Sequence, residues 1–282
     1  MAVKLIVDSA ADILPEECAA LGITHIPLKV IFDGVEYSDG VDMSHQEFYE
    51  KLIESDAFPT TCQIPPADFA DVYEQVTAAG DTAVVITLSG RLSGTYQSAM
   101  IAAADYEGKV FVVDSENVSL GERILLQQGL ALAAQGVDAE KIAETLDREK
   151  KKIRLMALLD TLEYLKKGGR ISAATALAGS LLSIKPVVAV VDGTVQMAGK
   201  ARGSKQGNNL LRQMVLQCGG INFEKPFCLA YSGLSDILLQ KYIADSSELW
   251  QGKAAQLPIA TVGCAIGTHV GPGVVAVAFF EN

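Results

Sequence analysis

The chain has 282 residues, 49% hydrophobic and 20% charged, with a mean hydropathy of +0.25; this composition excludes intrinsic disorder and leaves room for two α/β domains. Its 23 basic residues against 34 acidic ones give a net charge of −11, which excludes a general affinity for nucleic acid or anionic lipid surfaces. The apolar runs are too short or too interrupted to span a bilayer, so no stable membrane insertion is expected.

The opening KLIVD reads as a buried strand ending in Asp8 and Ser9; with no signal-peptide layout, a cytoplasmic protein is expected. PEECAALG, ITHIPLKVIF, SHQEFYEKLIES, PADFADVYEQVTAAG, TAVVITLS, TYQSAMIAAADY and KVFVVDS then alternate helical and β-rich patterns, which predicts βα units and a mostly parallel sheet. Ser44 and Glu47 have capping-box spacing before the apolar Phe48, Leu52 and Ile53. In FPTTCQIPPADF, Thr60 and Thr61 precede a Pro-rich turn and a helix expected to begin near Pro66; turn chemistry alone accounts for the two hydroxyls. Gly90, Ser93, Gly94 and Thr95 should lie where the strand TAVVITLS gives way to a helix. Free N–H groups there favour an anion, and the blander alternative is that Ser93 or Thr95 caps the helix. The order Gly90-Arg91-Leu92-Ser93-Gly94 is not the G-x-S-x-G elbow of a serine hydrolase.

Helical patterns follow in GERILLQQGLALAAQG and AEKIAETLDREKKKIR, their charges read as solvated faces. From RLMALLD onward the pattern changes, because Asp192-Gly193 between two β-rich runs signals a type I′ hairpin and so an antiparallel component. A helix near NNLLRQMVLQCG, a strand at PFCLAYSG, a helix at LSDILLQKYIAD and strands at LPIATVG and VVAVAFF complete the chain. A boundary near Leu159 divides it into an N-terminal α/β domain, 1–159, and a C-terminal α/β domain, 160–282, abutting across a cleft. His269, in GCAIGTHVGPG, is expected on a glycine-rich loop between strands; His25 falls in a β run and His45 in the first turn of a helix. A lone loop histidine is more often structural than ligand-binding. Gly271-x-Gly273-x-x-Ala276 is a poor dinucleotide fingerprint, since a strand rather than a helix follows it. Five scattered cysteines without CxxC spacing argue against zinc or a disulfide frame, and no P-loop, HExxH or calcium-loop pattern occurs. What remains is anion-binding apparatus without an evident catalytic engine, and no metal or cofactor is expected.

Taken together, KLIVDSAADILPE, PTTCQIPPADF, ITLSGRLSGTYQSA, VVDSENVSLG, LDTLEYLKKGGRIS, SLLSIKPVVAV and IGTHVGPG resemble, in order along the chain, the DegV-like family of bacterial fatty-acid-binding proteins. The resemblance implies an N-terminal, mostly parallel sheet flanked by helices and a C-terminal mixed α/β domain enclosing an acyl-chain tunnel. It implies Thr61, Ser93 and His269 as donors to a fatty-acid carboxylate, Arg170 and Arg202 as basic residues facing a partner or phosphate, and no cofactor beyond the bound long-chain fatty acid. It also implies a non-enzyme that presents its ligand to a fatty acid kinase, the acyl phosphate going towards phospholipid synthesis. The chain departs from the usual Thr-Ser-Gln-Pro at Cys62 and Ile64, which exchanges a hydroxyl for a thiol and removes a turn-fixing proline. The stretch ISAATALAGSLLSI is a candidate tunnel wall or ordinary close helix packing. A different class of function, a lipid esterase or acyltransferase using Ser93 activated by His269, would need an acidic orienter such as Asp8 or Asp114.

Overall fold

The computed structural model describes residues 2–171 and 184–282; the candidate tunnel wall therefore lies almost entirely outside the described residues. Val3–Asp8 (β1) and Thr82–Thr87 (β6) are dominated by apolar residues, as strands covered on both faces must be. They form the centre of a parallel sheet of order β2-β1-β6-β7, with Thr24–Ile26 (β2) and Val110–Asp114 (β7) at its edges. Pro15–Leu21 (α1), Pro66–Ala78 (α3) and Thr95–Ala103 (α4) connect these strands.

Between β2 and α3 the chain inserts a small antiparallel sheet of Lys29–Phe32 (β3), Val35–Ser38 (β4) and Thr60–Cys62 (β5), with His45–Glu54 (α2) beside it. The single run expected over ITHIPLKVIF is thus two strands in two sheets. Pro27, with no N–H to give a ladder, falls at the break. Ser44 and Glu47 close the capping box reciprocally at the start of α2.

Ile153–Leu158 (β8), Ile184–Val191 (β9), Thr194–Arg202 (β10), Phe227–Tyr231 (β11), Ile259–Thr261 (β12) and Val275–Phe280 (β13) form a mixed sheet of order β10-β9-β8-β13-β11-β12. Asp192 and Gly193 turn the β9–β10 hairpin with φ of 47° and 73°, both positive as type I′ requires. Since β8 pairs with β9 and β13, we propose that the division between domains falls before Ile153, slightly upstream of Leu159.

Leu120–Ala134 (α5) lies between the two large sheets, sharing one core with Leu5, Val7 and Ile86 on one side and Leu155, Val188 and Ala276 on the other, and Ala139–Glu149 (α6) packs beside it against β6 and β7. The start of α5 is consequently buried all round, Glu122 and Arg123 included, which overturns the reading of its charges as a solvated face. A helix's own periodicity does not announce a second sheet. Burial drives the Glu122 carboxyl well above the usual carboxylate range, favouring its neutral form. Arg123 donates to the Asp12 carbonyl at 2.8 Å and pairs with Glu17. Beyond the sheets, α3 and α4 cover the other face of the parallel sheet, while Ser204–Gln217 (α8) and Ile237–Asp245 (α9) cover that of the mixed sheet with Trp250. Glu163–Lys167 (α7) and Cys264–Val270 (α10) complete the described α-helices.

Candidate functional site

Strands β1 and β6 are neighbours although the chain leaves β1 towards β2, so their carboxyl ends flank the crevice where open α/β sheets take ligands. Asp8, at the end of β1, accepts from Ala10 N and from Leu88 N, both at 2.9 Å, and so fixes the loop after β6. That loop delivers Ser93. Thr61 comes from β5, where it lies opposite Val30. His269 comes from the last turn of α10, 208 residues further along, and its Nε2 lies 2.9 Å from Thr61 Oγ1.

These three side chains and Arg170 line one cavity, together with Leu28, Leu92 and Leu165. A second cavity adjoins it across Val118, Leu165, Val195, Ile266 and Val270, which line both. The second cavity runs against Leu155, Val188, Val190, Val262 and Val274, and among the described residues lining it Ser119 is the only polar one; that hydroxyl is already engaged with Asp12. One end of the cavity thus gathers hydroxyl, imidazole and guanidinium groups, and the rest is aliphatic.

Hydrogen bonding readies the two hydroxyls as donors. In the Nε2–H tautomer His269 donates to Thr61 Oγ1, leaving the Thr61 proton free for an anion. Ser93 Oγ accepts from Thr95 N at 3.3 Å and lies 2.9 Å from Thr95 Oγ1, which in turn accepts from Ile64 N at 3.4 Å. With Thr95 donating, the Ser93 proton is free as well. Burial, reinforced by the nearby Arg170 guanidinium, pulls His269 down from 6.5 to about 4, so the imidazole is neutral at pH 7. Its Nδ1 is buried without a partner and faces Gly168, where an added Cβ would sit 2.1 Å away. Arg170 is half-buried, donating from Nε to Leu92 O at 3.2 Å and from Nη1 to Gly168 O at 2.6 Å. Arg202 is exposed at the end of β10 and does not line this cavity.

Three local expectations change. His269 is not on a loop: α10 is a two-turn helix that ends at Gly271 (φ 70°), and Gly267 lies inside it because a Cβ there would approach the Phe48 ring and Tyr49 Oη to 2.7 Å. Neither Ser93 nor Thr95 caps α4, whose N-cap is Gly94; an added Cβ there would meet the Gln63 amide at 2.0 Å. Ile64 in place of proline keeps an N–H that bonds Thr95, while its side chain is buried and Cys62 is exposed. The loop after Thr61 is therefore tied to Thr95 by a bond that proline could not make.

A Ser93–His269 relay is not assembled. Ser93 bonds Thr95, His269 bonds Thr61, and Nδ1 meets no carboxylate. Asp8 is spent on amides, as is Asp114, which accepts from Gly90 N and Glu116 N. Among the described residues there is no group of three or more His, Cys, Asp or Glu able to hold a metal ion, and no helix long and apolar enough to cross a membrane.

The DegV family model matches residues 2–282. A DegV domain-containing protein of Deinococcus radiodurans is 35% identical over 99% of this chain and 98% of its own. Among solved structures, a DegV family protein of Thermus thermophilus, described by its fatty acid binding, superposes with a TM-score of 0.87 at 32% identity, covering both chains completely. DegV of Bacillus subtilis, described as a fatty acid binding protein, gives 0.83 at 27% identity, again with both chains covered.

Proposed function

This chain belongs to the DegV family, and we propose that it binds one long-chain fatty acid, with the carboxylate at Thr61, Ser93 and His269 and the acyl chain in the aliphatic cavity behind them. The observation that carries this reading is the division, across two adjoining cavities, between a polar end and an aliphatic interior. Two hydroxyl donors and a neutral imidazole suit a carboxylate, which accepts several hydrogen bonds, and Arg170 adds positive potential. Each buried CH₂ contributes about 0.8 kcal/mol, so the tail dominates affinity and the head sets orientation. We further propose that the bound acid is phosphorylated in place by a fatty acid kinase, which would supply the nucleotide site for which this sequence has no motif. Arg170 beside the carboxylate end and the exposed Arg202 would then face the kinase or the incoming phosphoryl group.

The test is native mass spectrometry of protein purified from a bacterial host, before and after organic extraction. Extraction should remove about one fatty-acid equivalent, the occupancy mass action predicts for a tight site. A bare-chain mass throughout, with no uptake of added palmitate or oleate, would sink the lipid reading. The loaded protein then serves for the hand-off: with kinase and ATP, Arg202→Ala should load normally and yield less acyl phosphate than wild type, and equal yields would remove Arg202 from the transfer.

A further inference from the structure

The segment carrying His269 is bound, residue after residue, to side chains from the first fifty residues. His45 Nδ1 lies 2.9 Å from Thr261 Oγ1, and Tyr49 Oη donates to Val262 O at 3.1 Å. Gly263 N donates to Asp12 Oδ1 at 2.8 Å. Cys264 N and Ala265 N, the first two amides of α10, donate to the two oxygens of Asp39 at 2.9 and 3.2 Å. Asp39 is 1% exposed and is itself fixed by Ser9 Oγ at 3.0 Å, whose oxygen also accepts from Leu28 N.

We propose that Asp39, supported by Ser9 and Asp12, is the positioning residue for the ligand-binding imidazole. A carboxylate bridging consecutive amides at a helix start fixes both the helix's rotation and its axial position, and it satisfies donors that the helix leaves unpaired. A helix of two turns transmits that setting directly to its far end, because it is too short to bend independently. His269 needs such a setting: its ring is held by a single hydrogen bond, to Thr61, and packs edge-on against Gly168, so a small rotation of α10 would break the first or collide with the second. Asp39 and Asp12 bond none of Thr61, Ser93, His269 or Arg170; towards His269, Asp39 acts through the first amides of α10 and Asp12 through Gly263 just before it.

This proposal rests on the fatty-acid reading for its affinity measurement, so the experiment carries a second readout that needs no ligand. In a double-mutant cycle, palmitate affinity is measured for wild type, Asp39→Asn, His269→Ala and the double variant, at a temperature where each is folded. Asp39→Asn should weaken binding roughly tenfold, the effect of one lost hydrogen bond to a charged group, and have little further effect once His269 is gone. In parallel, the His269 ring signals followed by NMR in delipidated protein should move, or broaden into several environments, in Asp39→Asn but not in a distant destabilised control such as Trp250→Phe. Should Asp39→Asn not fold, Ser9→Ala, which removes the bond that fixes the carboxylate and with it the acceptor of Leu28 N, carries the same cycle. Additive losses together with unmoved His269 signals would overturn the proposal and leave Asp39 as an ordinary fold residue. Absence of palmitate binding in wild type would overturn the ligand reading instead, with the NMR comparison still deciding the role of Asp39.

Discussion

At the residue scale, the site is tuned by what surrounds each polar group. His269 titrates near 4 rather than 6.5 because it is buried and faces Arg170. The unfolded chain therefore takes up a proton on falling through pH 6.5 that the folded protein refuses until about 4. The stability that His269 contributes is complete above 6.5 and is lost as the pH drops towards 4. Asp8 and Asp12 run the other way: burial raises both to about 7 from 3.8, so their contribution is complete below 3.8 and is lost as the pH rises towards 7. These opposed slopes over the same range predict that His269→Ala steepens the net gain in stability on acidification between pH 6.5 and 4.5, because it removes only the opposing term. Urea denaturation at pH 6.5, 5.5 and 4.5 reads this directly. Parallel curves for variant and wild type would mean that His269 is not held neutral by the fold.

Among the elements, those with strong local signatures were legible in the sequence: β1 and β6 as apolar runs, α2 by its capping box, α3 from Pro66 and the hairpin from Asp192-Gly193. The elements that build the site were harder. β5 is three residues long, too short for any alternation, and exists because β3 offers it an edge. α10 reads as loop because three glycines flank a seven-residue helix and a fourth lies within it, yet Gly267 is there for its close approach to α2 and not for a turn. Thr61, Ser93 and His269 came from family resemblance; their local spacing did not distinguish them from caps and turns. Asp12 and Asp39 carry no sequence signal of their role, although DSAAD places Asp12 just after the predicted opening strand; a carboxylate bound to amides over two hundred residues away leaves no local trace. The packing of α10 on α2 gives an element-scale prediction. Gly267→Ala places a methyl 2.7 Å from Phe48 and Tyr49, both fully packed, and should cost about 1–3 kcal/mol of stability through overpacking. A midpoint in urea unchanged from wild type would show that α10 can shift away from α2 freely.

For the whole molecule, the aliphatic cavity lies where the two large sheets share a core, so filling it should stabilise the entire fold rather than a loop. Its walls come from the segment before α5, from β8, β9, β10 and β13, and from α10, and the polar end is closed by β5 and by the loops around Ser93 and Arg170. A ligand that binds only this assembled form stabilises it by about 2.7 kcal/mol when present at a hundredfold excess over its Kd. At roughly 2–4 °C per kcal/mol for a protein approaching this size, thermal unfolding should rise by on the order of 5–10 °C. The chemistry of the two ends separates two contributions. Palmitate should give the full shift, octanoate a small one because about eight CH₂ groups are missing, and hexadecane an intermediate one because the tail is buried while Thr61, Ser93 and His269 gain no carboxylate. In Thr61→Val the difference between palmitate and hexadecane should shrink while the response to hexadecane persists, since valine nearly preserves the shape of threonine and removes its donor. Scanning calorimetry of delipidated protein with each additive measures all four cases. Equal shifts for palmitate and hexadecane in wild type would mean that the polar end does not read the carboxylate, and no shift with either would mean that the cavity is not the ligand's place.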